Sequence, residues 1–510
     1  MVFSSIQFIF LFLPVVLSIY LLVFHASRWL GWPRSAIHAS NFIILLSSLL
    51  FYFLGEGRLI VIMIVSALTD YVACLLIARA FRPGPVSMLP ATGPRERWQT
   101  VILVVALAIN LGLLFFFKYF NFAVAELTHL ANLLHIPAWR LEGLARVTLP
   151  LGISFYTFQS MSYTIDVYRG EARATRNLVD FGSYHTLFPQ LVAGPIVRYV
   201  DVAAALAERT IRLDRFVSGI RRFVMGLVRK VLIANTIAVP VDKIFALPAD
   251  EVSVALAWIA VVGYALQIYY DFAGYSDMAI GLGRMLGFEF LENFAHPYSS
   301  RSLREFWRRW HISLSTWFRD YLYIPLGGNR GGHFRTSMNL LMVFLLCGLW
   351  HGAEWTFVAW GLWHGIFLML ERIRGVDGWL ARHRLASHVY TLALVLVGWV
   401  LFRAASFPHA AAMLRTLVGF PVEGGVPDGA LRYFTPDVAC AFVLGCVFSF
   451  PVGPALWARW NRYVESASSW RVPLRALTSA VTFSGLALLA FFCVCALSAS
   501  TYNPFIYFRF

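Results

Sequence analysis

Apolar runs long enough to cross a bilayer recur along the whole of this 510-residue chain, and nothing else restricts its fold so severely. A segment facing lipid must satisfy its own backbone hydrogen bonds, which makes a run of about 20 apolar residues a helix. Such runs are read at 3–24, 37–54, 58–80, 100–120, 147–168, 216–240, 252–275, 338–352, 355–371, 388–405, 437–456 and 476–500. Hydrophobic residues make up 59% of the chain and charged residues 14%, against roughly 25% charged in soluble domains. The expected fold class is an all-α polytopic membrane protein of about 11–12 transmembrane helices, organised as one domain over 1–510. The first run lacks the basic flank and cleavage site of a signal peptide and reads as a retained span.

The charge is distributed to match. The formal net charge is +15, and only Lys118, Lys230 and Lys243 among the 42 basic residues are lysines. On a soluble protein this balance points to nucleic acid. Here the arginines cluster in short connections between apolar runs, which is the positive-inside bias. Putting those connections on the cytoplasmic side places both termini on the periplasmic side. Six cysteines all fall in apolar runs, with no C-x-x-C and no metal-ligand spacing, so they read as small hydrophobes and imply neither disulfide nor zinc site. Gly281-Leu-Gly-Arg-Met-Leu-Gly287 misplaces the third glycine of a dinucleotide loop and follows no strand. No nucleophile elbow, H-E-x-x-H or P-loop string occurs.

Several segments break the pattern. The run at 216–240 carries Arg221, Arg222, Arg229 and Lys230, so it must face protein or water. Asp271 and Asp277 are either counter-ions for such cations or polar groups of a cavity. Residues 178–198 are apolar but interrupted by Pro189, Gly194 and Pro195, as in a re-entrant or interfacial segment. The 34 residues at 338–371 are too long for one crossing and too short for two. Their break at Gly352-Ala-Glu354 marks a place where sites form near the midplane.

The candidate chemistry sits at these breaks. His351 lies in an apolar run, and an ionisable side chain at that depth is a functional hypothesis by default. The string Gly348-Leu-Trp-His-Gly352 recurs as Gly361-Leu-Trp-His-Gly365, making His364 an equal rival on pattern alone. Across the basic stretch 301–335, helical spacing gathers Leu303, Phe306, Trp307, Trp310, Leu314, Trp317, Phe318 and Tyr321 on one arc. Arg301, Arg304, Arg308 and Arg319 fall opposite or alongside, with His311 on the seam. One helix of this kind lies in the membrane surface on the cytoplasmic side. It is either a peripheral anchor with an incidental histidine or a receptor for an anionic donor.

Longer strings, in order along the chain, carry a resemblance. They are Met1-Val-Phe-Ser-Ser, Phe188-Pro-Gln-Leu-Val-Ala-Gly-Pro-Ile-Val-Arg-Tyr199, Tyr269-Tyr-Asp-Phe-Ala-Gly-Tyr-Ser-Asp-Met278 and Asn293-Phe-Ala-His-Pro-Tyr298. Phe306-Trp-Arg-Arg-Trp-His-Ile-Ser-Leu-Ser-Thr-Trp-Phe-Arg-Asp-Tyr-Leu-Tyr-Ile-Pro-Leu-Gly-Gly328, Leu349-Trp-His-Gly352 and Asn503-Pro-Phe-Ile-Tyr-Phe-Arg-Phe510 complete them. Together they make the chain similar to the membrane-bound O-acyltransferase (MBOAT) family, in the bacterial branch that acetylates exopolysaccharides such as alginate and cellulose. The resemblance implies a helical fold around a funnel or tunnel in the cell inner membrane. It implies His351 as the catalytic histidine and His311 as its companion, leaving His364 as the alternative.

The implied activity is O-acetyl transfer. The acyl donor, acetyl-CoA or another acyl thioester, is expected from the cytoplasm, with no tightly bound cofactor. Expected partners are a periplasmic acyltransferase and the machinery that makes and exports the polysaccharide. A desolvated imidazole stays neutral and can take the hydroxyl proton. Arg304 and Arg308, with Trp307 and Trp310, are the expected substrate-binding residues. D-alanyl transfer by the same fold, a histidine-dependent membrane transporter and a scaffold are the competing readings.

Overall fold

The computed structural model describes residues 2–81, 86–91, 93–135, 146–420, 430–467, 470–499, 502–504 and 506. Most of the loop 422–435 and the end of the closing string, Tyr507–Phe510, lie outside the described residues. Every regular element among the described residues is helical. The chain divides into two compact units. One comprises Met1–Gly219, Leu282–Leu291 and Gly352–Glu354, and the other Ile220–Gly281, Glu292–His351 and Trp355–Phe510.

The first unit is built on α1 (Leu13–Trp29), α2 (Pro33–Glu56), α3 (Ile60–Ile77), α4 (Arg97–Leu133), α5 (Ile153–Arg169), α6 (Leu178–Thr186), α7 (Phe188–Leu191) and α8 (Tyr199–Ala207). Tyr52, Met63, Leu114, Ile153, Tyr156 and Leu191 form a core cluster. A buried polar link crosses it: Asn110 donates to Asp70 at 2.8 Å, and Thr164 donates to the other Asp70 oxygen at 2.6 Å. Such bonds tie α3, α4 and α5 where apolar contact alone fixes no register. Segment 178–198 forms the short helices α6 and α7, nine and four residues long, followed by an irregular stretch. Its residues from Tyr184 to Val197 are buried almost throughout.

The chain continues through α9 (Leu213–Val228), α10 (Thr236–Phe245), α11 (Val254–Met285), α12 (Leu303–Arg309), α13 (Ile312–Phe318), α14 (Gly332–His351) and α15 (Trp355–Leu370). Then follow α16 (Arg374–Arg382), α17 (Arg384–Arg403), α18 (Phe407–Leu417), α19 (Ala430–Tyr433), α20 (Pro436–Phe448), α21 (Val452–Ser466) and α22 (Arg471–Ala499). A π-helical turn, Arg229–Asn235, joins α9 to α10. Three cations of the run 216–240 are paired: Arg222 and Arg229 both engage Asp277, and Lys230 lies 2.5 Å from Asp271, while Arg221 is exposed. Both aspartates are therefore counter-ions.

By length and composition, eight helical segments among the described residues can cross a membrane, or nine if the α20–α21 pair, bent by 65°, counts as one. One of them, Ser35–Ile77, is 43 residues long and takes in nearly all of α2 and the whole of α3. Gly57, at φ 57°, separates the two. The runs at 147–168 and 355–371 become α5 and α15, of 17 and 16 residues, short of the roughly 20 a crossing needs. Cys440, Cys446 and Cys495 are exposed, so half of the cysteines face outward from their helices.

One expectation fails. The basic stretch is not a single surface helix. His311 adopts φ 45° and ends α12 against α13, and a second change to π-helix follows at Arg319–Tyr323. Its aromatic face is not spent on lipid: Leu303, Phe306, Trp307, Trp310, Leu314, Trp317 and Phe318 are buried inside the protein.

Candidate active site

Two glycines explain why the histidine-bearing helices approach so closely. A Cβ at Gly348 of α14 would sit 2.3 Å from the Phe357 carbonyl oxygen, and one at Gly361 of α15 would sit 2.3 Å from that of Phe344. The repeated Gly-Leu-Trp-His-Gly string is thus a packing device, with the two glycines facing each other across the hairpin. It also puts an imidazole on either side of one indole. The ring centroids of His351 and His364 lie 5.0 and 5.1 Å from that of Trp360.

His351 is the last residue of α14 and is 5% exposed. It closes a small aromatic cell with Ile268, Phe272, Trp310, Trp360, Trp399, Phe402 and Ile506, enclosing about 10 Å³. That is room for about one water. Trp399 donates its indole N–H to the Tyr298 hydroxyl at 3.1 Å, which donates in turn to the Ala265 carbonyl at 2.6 Å. The cell wall is therefore pinned to α11. Glu354 is exposed.

His311 is fully buried, its ring centroid 4.6 Å from Phe272 and 6.2 Å from Trp350. Phe272 also lines the cell, and Trp350 precedes His351, so the two histidines border the same aromatics. Asn293 fixes the tautomer. Its Oδ1 accepts from the Ser313 N–H at 3.2 Å and the Ser313 hydroxyl at 2.9 Å, while its Nδ2 donates to Ser276 at 3.0 Å. The His311 Nδ1, 3.2 Å from the same oxygen, must then carry the proton, leaving Nε2 with the lone pair. Burial pushes the His311 pKa down to about 3, so the ring is neutral at physiological pH.

On the other side of Trp307 lies a wider cavity of about 440 Å³. Arg304, Arg308 and Arg319 line it, with Ser315, Thr316 and Tyr323, over an apolar floor that includes Val343, Phe344 and Cys347. Arg304 is 3.7 Å from Asp377, and Arg319 pairs with Asp320 at 2.6 Å. Arg308 is exposed and engages no carboxylate among the described residues. Trp307 lines this cavity, Trp360 lines the cell, and their rings are 5.7 Å apart. His364, buried, touches both indoles. Among the described residues the buried Trp307 Nε1, Trp360 Nε1 and His364 Nδ1 atoms have no hydrogen-bond partner. Unpaired buried polar atoms are costly, and three in one wall fit a surface that meets a polar ligand.

Residues 167–403 match the profile of the MBOAT, membrane-bound O-acyltransferase family. A Pseudomonas putida protein named Probable alginate O-acetylase AlgI is 40% identical over the full length of both chains. The chain belongs to the membrane-bound O-acyltransferase family. This O-acyltransferase is also similar to the peptidoglycan O-acetyltransferase of Helicobacter pylori, at 32% identity over 82% of this chain and 80% of that one. Similarity extends to the teichoic acid D-alanyltransferase of Bacillus subtilis, at 28% identity over 51% of this chain and 70% of that one. It is a multi-pass membrane protein, and the matched span contains all three candidate histidines.

Of the residues expected from sequence, Trp310 joins His351 in the cell, whereas Arg304, Arg308 and Trp307 gather at the wider cavity. Sequence reasoning gave no role to Asn293, Trp360, Trp399, Ile506 or Glu371. Glu371 is buried just beyond α15 and accepts the backbone N–H groups of Leu303 at 2.7 Å and Arg304 at 3.1 Å. It caps α12, the helix that presents Trp307 and Arg308, while burial pushes its carboxyl up from the ordinary range. Asn293 had a signal, since it opens one of the family-like strings. Ile506 had the same signal, as part of the closing family-like string, whereas Glu371 had none beyond ending the apolar run 355–371.

Proposed function

We propose that this O-acyltransferase takes acetyl groups from a cytoplasmic thioester, acetyl-CoA or a chemically similar donor, and passes them across the inner membrane to acetylate an exported polysaccharide. The single observation that carries this reading is the buried His351 in its aromatic cell, separated by the paired indoles of Trp360 and Trp307 from an arginine-lined cavity. The arginines suit the phosphates of the donor, and the apolar floor suits its thioester arm. His351 takes the proton of the acceptor hydroxyl as its oxygen attacks the thioester carbonyl. A C–O bond forms, the C–S bond breaks, and the imidazolium returns the proton to the departing thiolate. His311, neutral and held by Asn293, orients the reacting groups with its Nε2 lone pair.

The identity of the relatives supports acetyl over D-alanyl transfer, since the alginate and peptidoglycan acetylases are more similar over more of the chain than the D-alanyltransferase. The positive-inside distribution supports periplasmic termini, and delivery outward supports a periplasmic acyltransferase and an export complex as partners. The test is purified protein in lipid nanodiscs with acetyl-labelled CoA, followed by the acetyl content of exported polymer in cells. Label turnover that persists in His351→Ala sinks the reading. Solute transport retained in that variant, with no acyl turnover in the wild type, favours a transporter instead.

A further inference from the structure

The cell around His351 is narrow, with about 10 Å³ of room, and one wall differs from the rest. Ile268, Phe272 and Trp360 sit within helices, and Trp399 and Phe402 share α17. Their rings interlock, with Trp399 and Phe402 centroids 5.6 Å apart and Trp360 and Phe402 5.2 Å apart. Close-packed aromatics of this kind move together or not at all. Two lining residues lie outside the helices. One is Trp310, at the bend between α12 and α13, whose ring is 5.6 Å from Phe306 and 4.9 Å from Trp399. The other is Ile506, on a strap that includes Tyr502, Asn503 and Pro504. Ile506 is 6% exposed.

Polar bonds, not helix packing, hold that strap. The Ile506 N–H donates to Asp271 Oδ2 at 2.9 Å, and the other Asp271 oxygen meets Lys230 Nζ at 2.5 Å. Lys230 also donates to the Pro504 carbonyl and, at 2.9 Å, to Asn235. Asn235 donates to Asn503 at 3.0 Å. The Tyr502 hydroxyl donates to Asp242, which Arg403 holds at 2.7 Å from the end of α17. A buried ion pair is a poor source of stability compared with apolar packing. This one instead fixes a non-helical segment against a reactive histidine.

We propose that Ile506 determines which acyl groups this enzyme accepts: its strap is the wall that yields to a short acyl chain, and its side chain excludes longer ones. Lys230, Asp271 and Asn235 are positioning residues for that wall. The proposal rests on His351 as the base, because only then does the size of its cell limit the acyl group. About 10 Å³ admits no acetyl group unless a wall retreats. Among the described residues lining the cell, the strap is the wall tied down by polar bonds, while the others interlock ring against ring.

The experiment compares acetyl-, propionyl- and butyryl-CoA turnover by full-length protein in nanodiscs, in the wild type, Ile506→Ala, Ile506→Val and Ile506→Trp. Adding or removing a methylene's worth of space in an apolar pocket shifts preference by roughly 10–200-fold. Ile506→Ala is expected to raise the butyryl-to-acetyl ratio of kcat/KM within that range, Ile506→Val to raise it less, and Ile506→Trp to lower it. Asp271→Asn, which keeps an acceptor for the Ile506 N–H but drops the ion pair, is expected to shift the ratio in the Ile506→Ala direction. A role in folding alone lowers all three donors equally, and an unchanged ratio across the Ile506 series overturns the proposal. His351→Ala runs alongside: turnover persisting there fails the base assignment, whatever the ratios show.

Discussion

The cavity at Arg304 and the cell at His351 meet at one wall of Trp307, His364 and Trp360, yet they are made of opposite materials. The first encloses about 440 Å³ and is lined by three arginines, two of them exposed. The second encloses about 10 Å³ among tryptophans, phenylalanine and isoleucine. Charge is cheap to keep where water reaches it, and it draws an anionic donor from a distance. A proton acceptor gains from the opposite surroundings, since a dry cell keeps an imidazole neutral and strengthens every dipole aimed at the reacting atoms. On the proposed mechanism, splitting the tasks between two volumes would let each have the dielectric it needs, and the wall between them would be the step the acyl group must pass.

The sharpest way to break this division is to remove each histidine in turn. His351→Ala is expected to lower kcat by about 10²–10⁴-fold, the range for loss of a general base, with the donor KM little changed. His364→Ala is expected to cost far less, because that ring belongs to the wall. Single-turnover measurement with labelled donor separates the two. Equal losses would move the chemistry from the cell to the wall.

A smaller effect, with the opposite kinetic signature, is expected on the other side. Charge-assisted hydrogen bonds contribute about 1.5–3 kcal/mol each, so Arg308→Ala should raise the donor KM by roughly 10–100-fold with kcat unchanged. The loss should shrink as salt rises, because exposed charges are screened. Steady-state kinetics at two ionic strengths check both points. A fall in kcat instead would mean that the arginine reaches the reacting centre.

How much of this contrast was readable in advance follows from its physics. Among the described residues every one of the twelve apolar runs is mainly helical, as lipid demands of an exposed backbone. Yet 437–456 is broken into α20 and α21, and 147–168 and 355–371 give helices too short to cross. The segment Leu303–Tyr321 was misread because its aromatic spacing fits one helix well. The break at His311, with φ 45°, depends on Asn293, a residue 18 positions earlier whose side chain binds His311 and Ser313 and whose carbonyl accepts from the Ile312 N–H. Side-chain periodicity carries no sign of that bond. His351 and His364 were equal on pattern, and the facing glycines explain why the string is duplicated. Only the packing around Trp360 shows which ring faces the cell. Ile506 and Glu371 act across long stretches of chain, where spacing arguments have no purchase.

His311 sharpens the comparison through pH. Its folded pKa lies near 3 and its unfolded value near 6.5, so between these limits the unfolded chain binds the extra proton. Stability from the neutral ring is therefore complete above about pH 6.5 and is lost progressively as pH falls toward 3. Thermal unfolding in detergent across that window should show the loss, and His311→Gln should flatten it. A slope unchanged in His311→Gln would assign acid lability to other groups.

The smallest expected effect tests how the two volumes are joined. Glu371 follows α15, whose Trp360 and His364 form one face of the wall, and its carboxylate accepts the first two N–H groups of α12, which supplies Trp307. Glu371→Ala removes both acceptors, a loss comparable to an N-cap and worth about 1 kcal/mol. Glu371→Gln keeps one acceptor and should recover part of it. Because α12 also carries Arg304 and Arg308, a shifted cap should raise the donor KM a few-fold in Glu371→Ala while kcat follows more weakly. Melting temperature and KM measured on the same preparations decide the matter. If stability falls with KM unmoved, Glu371 holds the wall together without placing the arginines, and the two volumes are set independently.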